Sequence, residues 1–241
     1  MRALILTTAL LLPLTASAQF FSDLQDSPRT QSFELKFGAY TPDIDSETGV
    51  TAYDDIFGEE SMFLTRIEYD YQFWQGFGSL AIGGEFGYGK VSGKGREVAT
   101  DSKSNDETTF NMLPMSIGLI YHLDVLALRW DIPLVPFVKV GIDYNVWWIT
   151  DGVDDTATFE DEDGETFEGE GDTWGYHASI GLKLLLDIFA PTMAQTFDNE
   201  VGVNNSYLFA EYVYSDISDF GSDKSFQLGD STFLFGLAFE F

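Results

Sequence analysis

From residue 31 onward, apolar and polar side chains alternate along the chain. Phe33, Leu35, Phe37 and Ala39 interleave with Ser32, Glu34, Lys36 and Gly38, and Val138, Val140, Ile142, Tyr144, Val146 and Trp148 interleave with Lys139, Gly141, Asp143 and Asn145. Successive side chains of a strand point to opposite faces, so a period of two predicts strands with one apolar face, and helical spacing is nearly absent. Eight segments follow the pattern: 32–40, 62–73, 79–90, 111–123, 136–148, 173–185, 206–215 and 233–241.

The connections alternate as well. Long polar stretches (41–60, 91–107, 149–172 and 216–229) follow every odd segment, whereas "WQGFG", "DVLALRWDIP" and 186–205 follow the even ones. An even strand count with long loops at one end and mostly shorter links at the other predicts a closed, eight-stranded antiparallel transmembrane β-barrel spanning 31–241. The longer link, "DIFAPTMAQTFDNEVG", is expected to contain a short helix on the periplasmic side.

A soluble barrel would also alternate, with its apolar row inside and its polar row in water. The polar row argues against that arrangement. It contains nine glycines (38, 83, 87, 89, 118, 141, 175, 181 and 236) with Ala81, Ala238 and isolated charges between them. Small residues suit a crowded eight-stranded lumen. The other row is aliphatic and aromatic, as hydrocarbon requires, and Tyr69, Tyr71, Trp148, Trp174 and Tyr176 fall near strand ends, at interfacial depth. Lipid tolerates no unpaired sheet edge, so the first and last strands must pair.

The start of the chain supports export. Met1-Arg2, the apolar run "ALILTTALLLPLT" and the small-x-small triplet Ala16-Ser17-Ala18 have the form of a cleaved signal peptide, residues 1–18. Residues 19–30 are then expected to be an N-terminal periplasmic segment. Absence of cysteine excludes disulfides, thiolate metal sites and thiol catalysis. Forty acidic residues against 12 basic ones, a net charge of −28, make nucleic acid an unsuitable partner.

Several segments carry a closer resemblance: "SFELKFGAYTPDIDSE", "YQFWQGFGSLAIG", "IPLVPFVKVGIDYNVWWITDG", "GYHASIGL", "EVGVNNSYLFAEY" and "LGDSTFLFGLAFEF". Through them the chain resembles a family of myxobacterial outer-membrane β-barrel proteins over nearly all of 31–241, specifically in the strands and weakly in the loops. More coarsely, it is similar to small barrels of the OmpA, OmpX and OmpW type. The resemblance implies an architecture and an address in the outer membrane of a Gram-negative bacterium, with no functional residues to carry over. It also implies that the aromatic last strand, ending on Phe239 and Phe241, is the signal read by the barrel assembly machinery.

Three constellations are candidates for chemistry. Lys36, Arg66, Lys139 and Lys183 share the inward row with Glu34, Glu68, Asp70, Glu85, Asp143, Glu211 and Glu240, which predicts a lumen ion network, since buried charges are costly unless paired. A proton or ion path is the sharper alternative. His177 and Ser179 lie two apart on one face, the spacing of a His-x-Ser pair in a lipid A deacylase barrel, although the flanking residues differ and both point into the lumen; His122 lies too far away to join them. Loop 149–172 holds eleven acids and no Lys or Arg, and Asp161, Asp163, Glu165 and Glu168 are its candidate divalent-cation ligands, at spacings that do not match an EF-hand.

The expected role is structural or surface-interacting, through the acidic extracellular loops, with loop 149–172 the foremost contact region. A narrow channel and a lipid-modifying enzyme using His177 and Ser179 are the alternatives. No cofactor and no catalytic residue are expected. The expected partners are outer-membrane lipid, lipopolysaccharide and, during biogenesis, the assembly machinery, with the protein a monomer.

Overall fold

The computed structural model describes residues 29–46, 51–95, 106–153, 155–160, 166–222 and 225–241. The expected signal peptide and most of the segment after it lie outside the described residues.

Eight long strands close into a barrel: β1 (Gln31–Tyr40), β2 (Met62–Gly76), β3 (Gly78–Gly93), β4 (Thr108–His122), β5 (Leu134–Thr150), β8 (Glu170–Leu185), β9 (Asn205–Ile217) and β10 (Asp230–Glu240). Each pairs antiparallel with its chain neighbours, and β1 pairs with β10 from Ser32–Glu240 to Gly38–Leu234, so the barrel has no free edge. Thr30 N–H donates to Phe241 O at 2.9 Å, which places both ends of the barrel chain at one rim, the terminal rim. The longer loops gather at the opposite, loop rim.

The strands run a few residues past the sequence segments. Loop 149–172 contains a small hairpin, β6 (Thr158–Glu160) with β7 (Thr166–Glu168), that its acidic composition did not foretell. Two links have also folded into unanticipated helices, α1 (Ala52–Phe57) at the loop rim and α2 (Val125–Trp130) at the terminal rim. The expected helix in the β8–β9 link is α3 (Pro191–Val201). Pro191 sits in its first turn, where a missing N–H costs nothing, and Gly202 closes it in the left-handed conformation (φ 76°), donating to Asp198 O at 3.0 Å.

The outward row is apolar along its length. On β5 it reads Val138, Val140, Ile142, Tyr144 and Val146; on β10 it reads Phe233, Phe235, Leu237 and Phe239. Val140, Ile180 and Phe233 are more than half exposed. Aromatic pairs mark the belt's edge toward the loop rim, with Tyr144 and Trp174 at 4.7 Å between centroids and Tyr212 and Phe233 at 5.1 Å. Toward the terminal rim stand Tyr71, Phe73, Trp74 and Trp130, all exposed. No helix among the described residues is long and apolar enough to cross a membrane; the strands carry the apolar surface.

Inside, bulk is rationed by the narrow bore. A Cβ built on Gly236 would lie 2.2 Å from Leu35 O and 2.8 Å from the Phe209 ring, and one on Gly141 would lie 2.5 Å from the His177 ring. The inward glycines therefore make room for the large side chains opposite them. Gly236→Leu should destabilise the barrel by about 1–3 kcal/mol through overpacking. The check is a lower urea midpoint by tryptophan fluorescence in detergent, with Ala178→Leu, a substitution on the outward row, leaving it nearly unchanged.

Candidate functional site

The lumen is the place where the sequence put its chemistry. Its middle third holds four cations and four glutamates, Lys36, Arg66, Lys139 and Lys183 with Glu34, Glu68, Glu85 and Glu211, every one buried except the half-buried Glu85. The register explains the assembly: Lys36 stands beside Arg66 across β1–β2, Glu34 beside Glu68, and Glu68 beside Glu85 across β2–β3. Like charges and opposite charges are thus stacked at adjacent levels of one small cross-section.

Glu34 is the hub. It accepts from Lys139 Nζ at 2.8 Å and from Lys183 Nζ at 2.6 Å, with Lys36 Nζ at 3.8 Å. Lys36 reaches Glu85 at 2.5 Å, Glu211 at 3.1 Å and also Glu68; Lys139 reaches Glu68 at 2.6 Å; Arg66 donates to Glu85 at 2.6 Å. Four positive and four negative groups balance, which keeps the layer from being an uncompensated charge in a low-dielectric interior. The space left among them is about 20 Å³, bordered by Lys36, Arg66, Glu68, Glu85, His177 and Ser179, room for about one water.

Among the described residues, the other predicted network members make no ion pair with these eight groups, although Asp70 stands beside Glu68 at Gly83. Asp143 pairs with His177, whose Nδ1 is 3.0 Å from both carboxylate oxygens. Glu240 lies at the terminal rim, accepting from Tyr207 Oη at 2.8 Å, Asn205 at 2.9 Å and Gln72 at 3.1 Å, with Arg29 at 3.9 Å. Asp70 is fully buried opposite Ser32 and Gly83 and has no hydrogen-bond partner among the described residues. The His177–Ser179 spacing likewise does not produce a pair. Ser179 Oγ donates to Glu211 at 3.2 Å while His177 is held by Asp143, and His122 Nε2 accepts from Lys183 Nζ at 3.0 Å. Asp161, Asp163 and Glu165 lie outside the described residues, and Glu168 ends β7 on the surface. No group of three or more His, Asp or Glu among the described residues is placed to hold a metal ion.

The inward row is not small and charged throughout, as its glycines suggested. At the loop rim Tyr40, Met62, Leu64, Phe110, Met112 and Trp147 fill the bore, and α1 lowers Tyr53 and Phe57 onto them. Asp45 fixes that helix by accepting from the N–H groups of Tyr53 (2.8 Å) and Asp54 (2.9 Å), and Tyr40 Oη donates to Leu228 O. At the terminal rim Phe137, Phe209, Tyr207, Val135 and Leu185 close the bore, with Phe137 and Phe209 edge to face at 6.0 Å. Lys139 and Lys183 lie 5.1 and 5.3 Å from the Phe137 ring, so this plug also solvates the charge layer by cation–π contact. Adjacent apolar residues, such as Phe63-Leu64, Phe137-Val138, Trp147-Trp148 and Leu208-Phe209, were the available signal, because one member of each must face inward.

Above the loop-rim plug is an open cleft of about 850 Å³ bordered by Asp43, Asp45, Asp54, Asp216 and Asp230. Asp230 accepts from Thr41 N–H at 2.9 Å, and Asp216 accepts from Tyr176 Oη at 2.9 Å and Ser218 Oγ at 2.8 Å. Its acids hold loops to strands while facing solvent.

No protein-family model matches the chain, and no curated protein matches it significantly. Solved structures similar to it include Neisserial surface protein A (14% identity, TM-score 0.48, 88% of this chain and 96% of that one). Outer membrane protein OprG from Pseudomonas aeruginosa aligns at 12% identity and TM-score 0.47, over 88% and 97%. The attachment invasion locus protein Ail of Yersinia pestis, crystallised with the heparin analogue sucrose octasulfate, aligns at 11% and 0.42, over 88% and 97%. These likenesses concern general architecture.

Two predictions follow from the charges. Lys139→Met leaves Glu34 and Glu68 short of a cation and should cost about 3–5 kcal/mol; a urea midpoint equal to that of the native chain would refute the balanced layer. At the terminal rim, burial pushes the Asp187 carboxyl up to about 6, against the opposing hydrogen bond from Ser206 N–H at 3.3 Å. The unfolded carboxyl titrates near ~3.9, so stability tied to the protonated form is fully present below about pH 4 and is lost as pH rises through about 6. Asp187→Asn should match the native chain in urea midpoint at pH 4 and exceed it at pH 8.

Proposed function

We propose that the chain is an outer-membrane barrel that works at its loop rim, as a structural and surface-contact protein, and is not a conduit. The observation that carries this reading is the doubly plugged lumen. Any solute would have to displace Trp147 and Phe110 at one end, a neutralised ion-pair layer in the middle, and Phe137 and Phe209 at the other. The apolar outward belt supports the membrane location, because so large a contiguous apolar surface is at odds with water. With the belt in lipid, the terminal rim is periplasmic and the loop rim external.

Contact chemistry is then concentrated outside. The acidic cleft over the plug and loop 149–172, with its β6–β7 hairpin, form an anionic surface suited to cationic partners or to divalent ions shared with lipopolysaccharide phosphates. For the enzyme alternative, His177 and Ser179 would both have to leave their present partners, Asp143 and Glu211, before meeting each other.

Planar-bilayer recording on the purified barrel should give no steady conductance. Protease added to intact cells should cleave within 149–172 and leave the strands intact. Persistent single-channel steps would overturn the sealed-barrel reading, and full protection of that loop on intact cells would overturn the surface role.

A further inference from the structure

The link between β8 and β9 carries an apolar surface that the barrel does not use. Phe189, Met193, Phe197 and Val201 recur every fourth residue along α3 and the turn before it, and they are 69%, 63%, 44% and 60% exposed. A spacing of four keeps side chains on one side of a helix. Gln195, Asp198 and Asn199 occupy other sides, while Thr196 and Glu200 flank the Met193 edge of the apolar line. Met193, Phe197 and Val201 in a line on α3, with Phe189 exposed in the turn before it, would be an expensive arrangement if turned toward water.

The helix is seated by Ala194, the one buried residue of α3. Ala194 is three and seven residues from Phe197 and Val201, so it lies at the edge of the same apolar arc. The helix lies close to β9 and to the turn before it, and the arc runs from buried Ala194 onto the exposed side. The same rim carries other exposed apolar residues, Leu182 near the end of β8, Leu208 near the start of β9, and Trp130 and Ile132 of the neighbouring link. The helix carries no Lys or Arg and two acids, Asp198 and Glu200, a charge pattern compatible with zwitterionic headgroups and unfavourable for anionic ones.

We propose that α3 is an interfacial helix, lying along the leaflet at the terminal rim with Met193, Phe197 and Val201 in the acyl boundary and its polar side toward water. It would fix the depth and tilt of the barrel by extending the apolar girdle sideways from one strand pair. The inference rests on the membrane reading above, and its test separates the two.

The chain has no cysteine, so single-cysteine variants can be labelled cleanly with a nitroxide. Phe197→Cys and Met193→Cys report the apolar side of α3, Asn199→Cys the polar side, and Ile180→Cys the barrel belt. Each labelled barrel is reconstituted in phosphatidylethanolamine–phosphatidylcholine vesicles, and the label's collisions with oxygen and with a water-soluble nickel chelate are compared. The expected result is oxygen-dominated relaxation at 180, 193 and 197 and nickel-dominated relaxation at 199. Nickel-dominated relaxation at both 193 and 197, with 180 still in lipid, overturns the interfacial helix and leaves the membrane reading standing. Nickel-dominated relaxation at 180 overturns both.

Discussion

Closure of β1 onto β10 is the constraint on which the rest of the molecule depends. Once those strands pair, every strand has two neighbours and the backbone hydrogen bonds are spent within the wall. The wall can then afford an apolar exterior, but eight strands enclose a bore that only side chains can fill. Every inward position competes for that volume, which is why Gly141 faces His177 and Gly236 faces Phe209.

That competition also decides what the lumen can be. A polar bore of this width could have held a file of waters, but large residues occupy both ends. The main charge layer lies between the two plugs, where four cations meet four glutamates around Glu34, while Glu240 is held at the terminal plug by Tyr207. Each plug excludes water from the layer, and the layer supplies cations whose stems and heads pack on Phe137. Sealing and charge pairing are therefore one arrangement: remove the plugs and the pairs become solvated and weak; remove a cation and the plugs enclose an unmatched carboxylate.

Much of this was legible before the fold was known, because strand alternation is a local property. The eight strands, their order of long and short connections, and the inward placement of Lys36, Arg66, Glu68, Glu85, Lys139, Lys183 and Glu211 follow from counting residues by twos. Partnership within the lumen does not. Asp143 and Lys139 are both inward on β5, yet Asp143 turns to His177 while Lys139 turns to Glu34 and Glu68, a choice set by the stagger between strands distant in sequence. The plugs were hidden for a related reason. Leu64 and Trp147 sit next to outward apolar residues, so alternation alone reads them as noise. Helices α1 and α2 are six residues each, too short to establish a helical period.

A fully apolar interior would have filled the bore with less electrostatic cost, so the charge layer must contribute something besides packing. With both rows apolar, a shift of one residue in strand pairing would exchange the two faces at little cost. Buried charges remove that degeneracy. Turning Glu34, Lys36 or Lys139 outward would place an unpaired ion in the belt, while leaving it inward gives two or more partners of opposite sign. The same logic applies across the β1–β10 seam, where Glu34 and Lys36 on the first strand must meet β9 and β5 residues before the barrel is complete. The ion pairs thus make closure and correct facing a single event, since neither Glu211 nor Lys139 reaches its β1 partners in an open sheet.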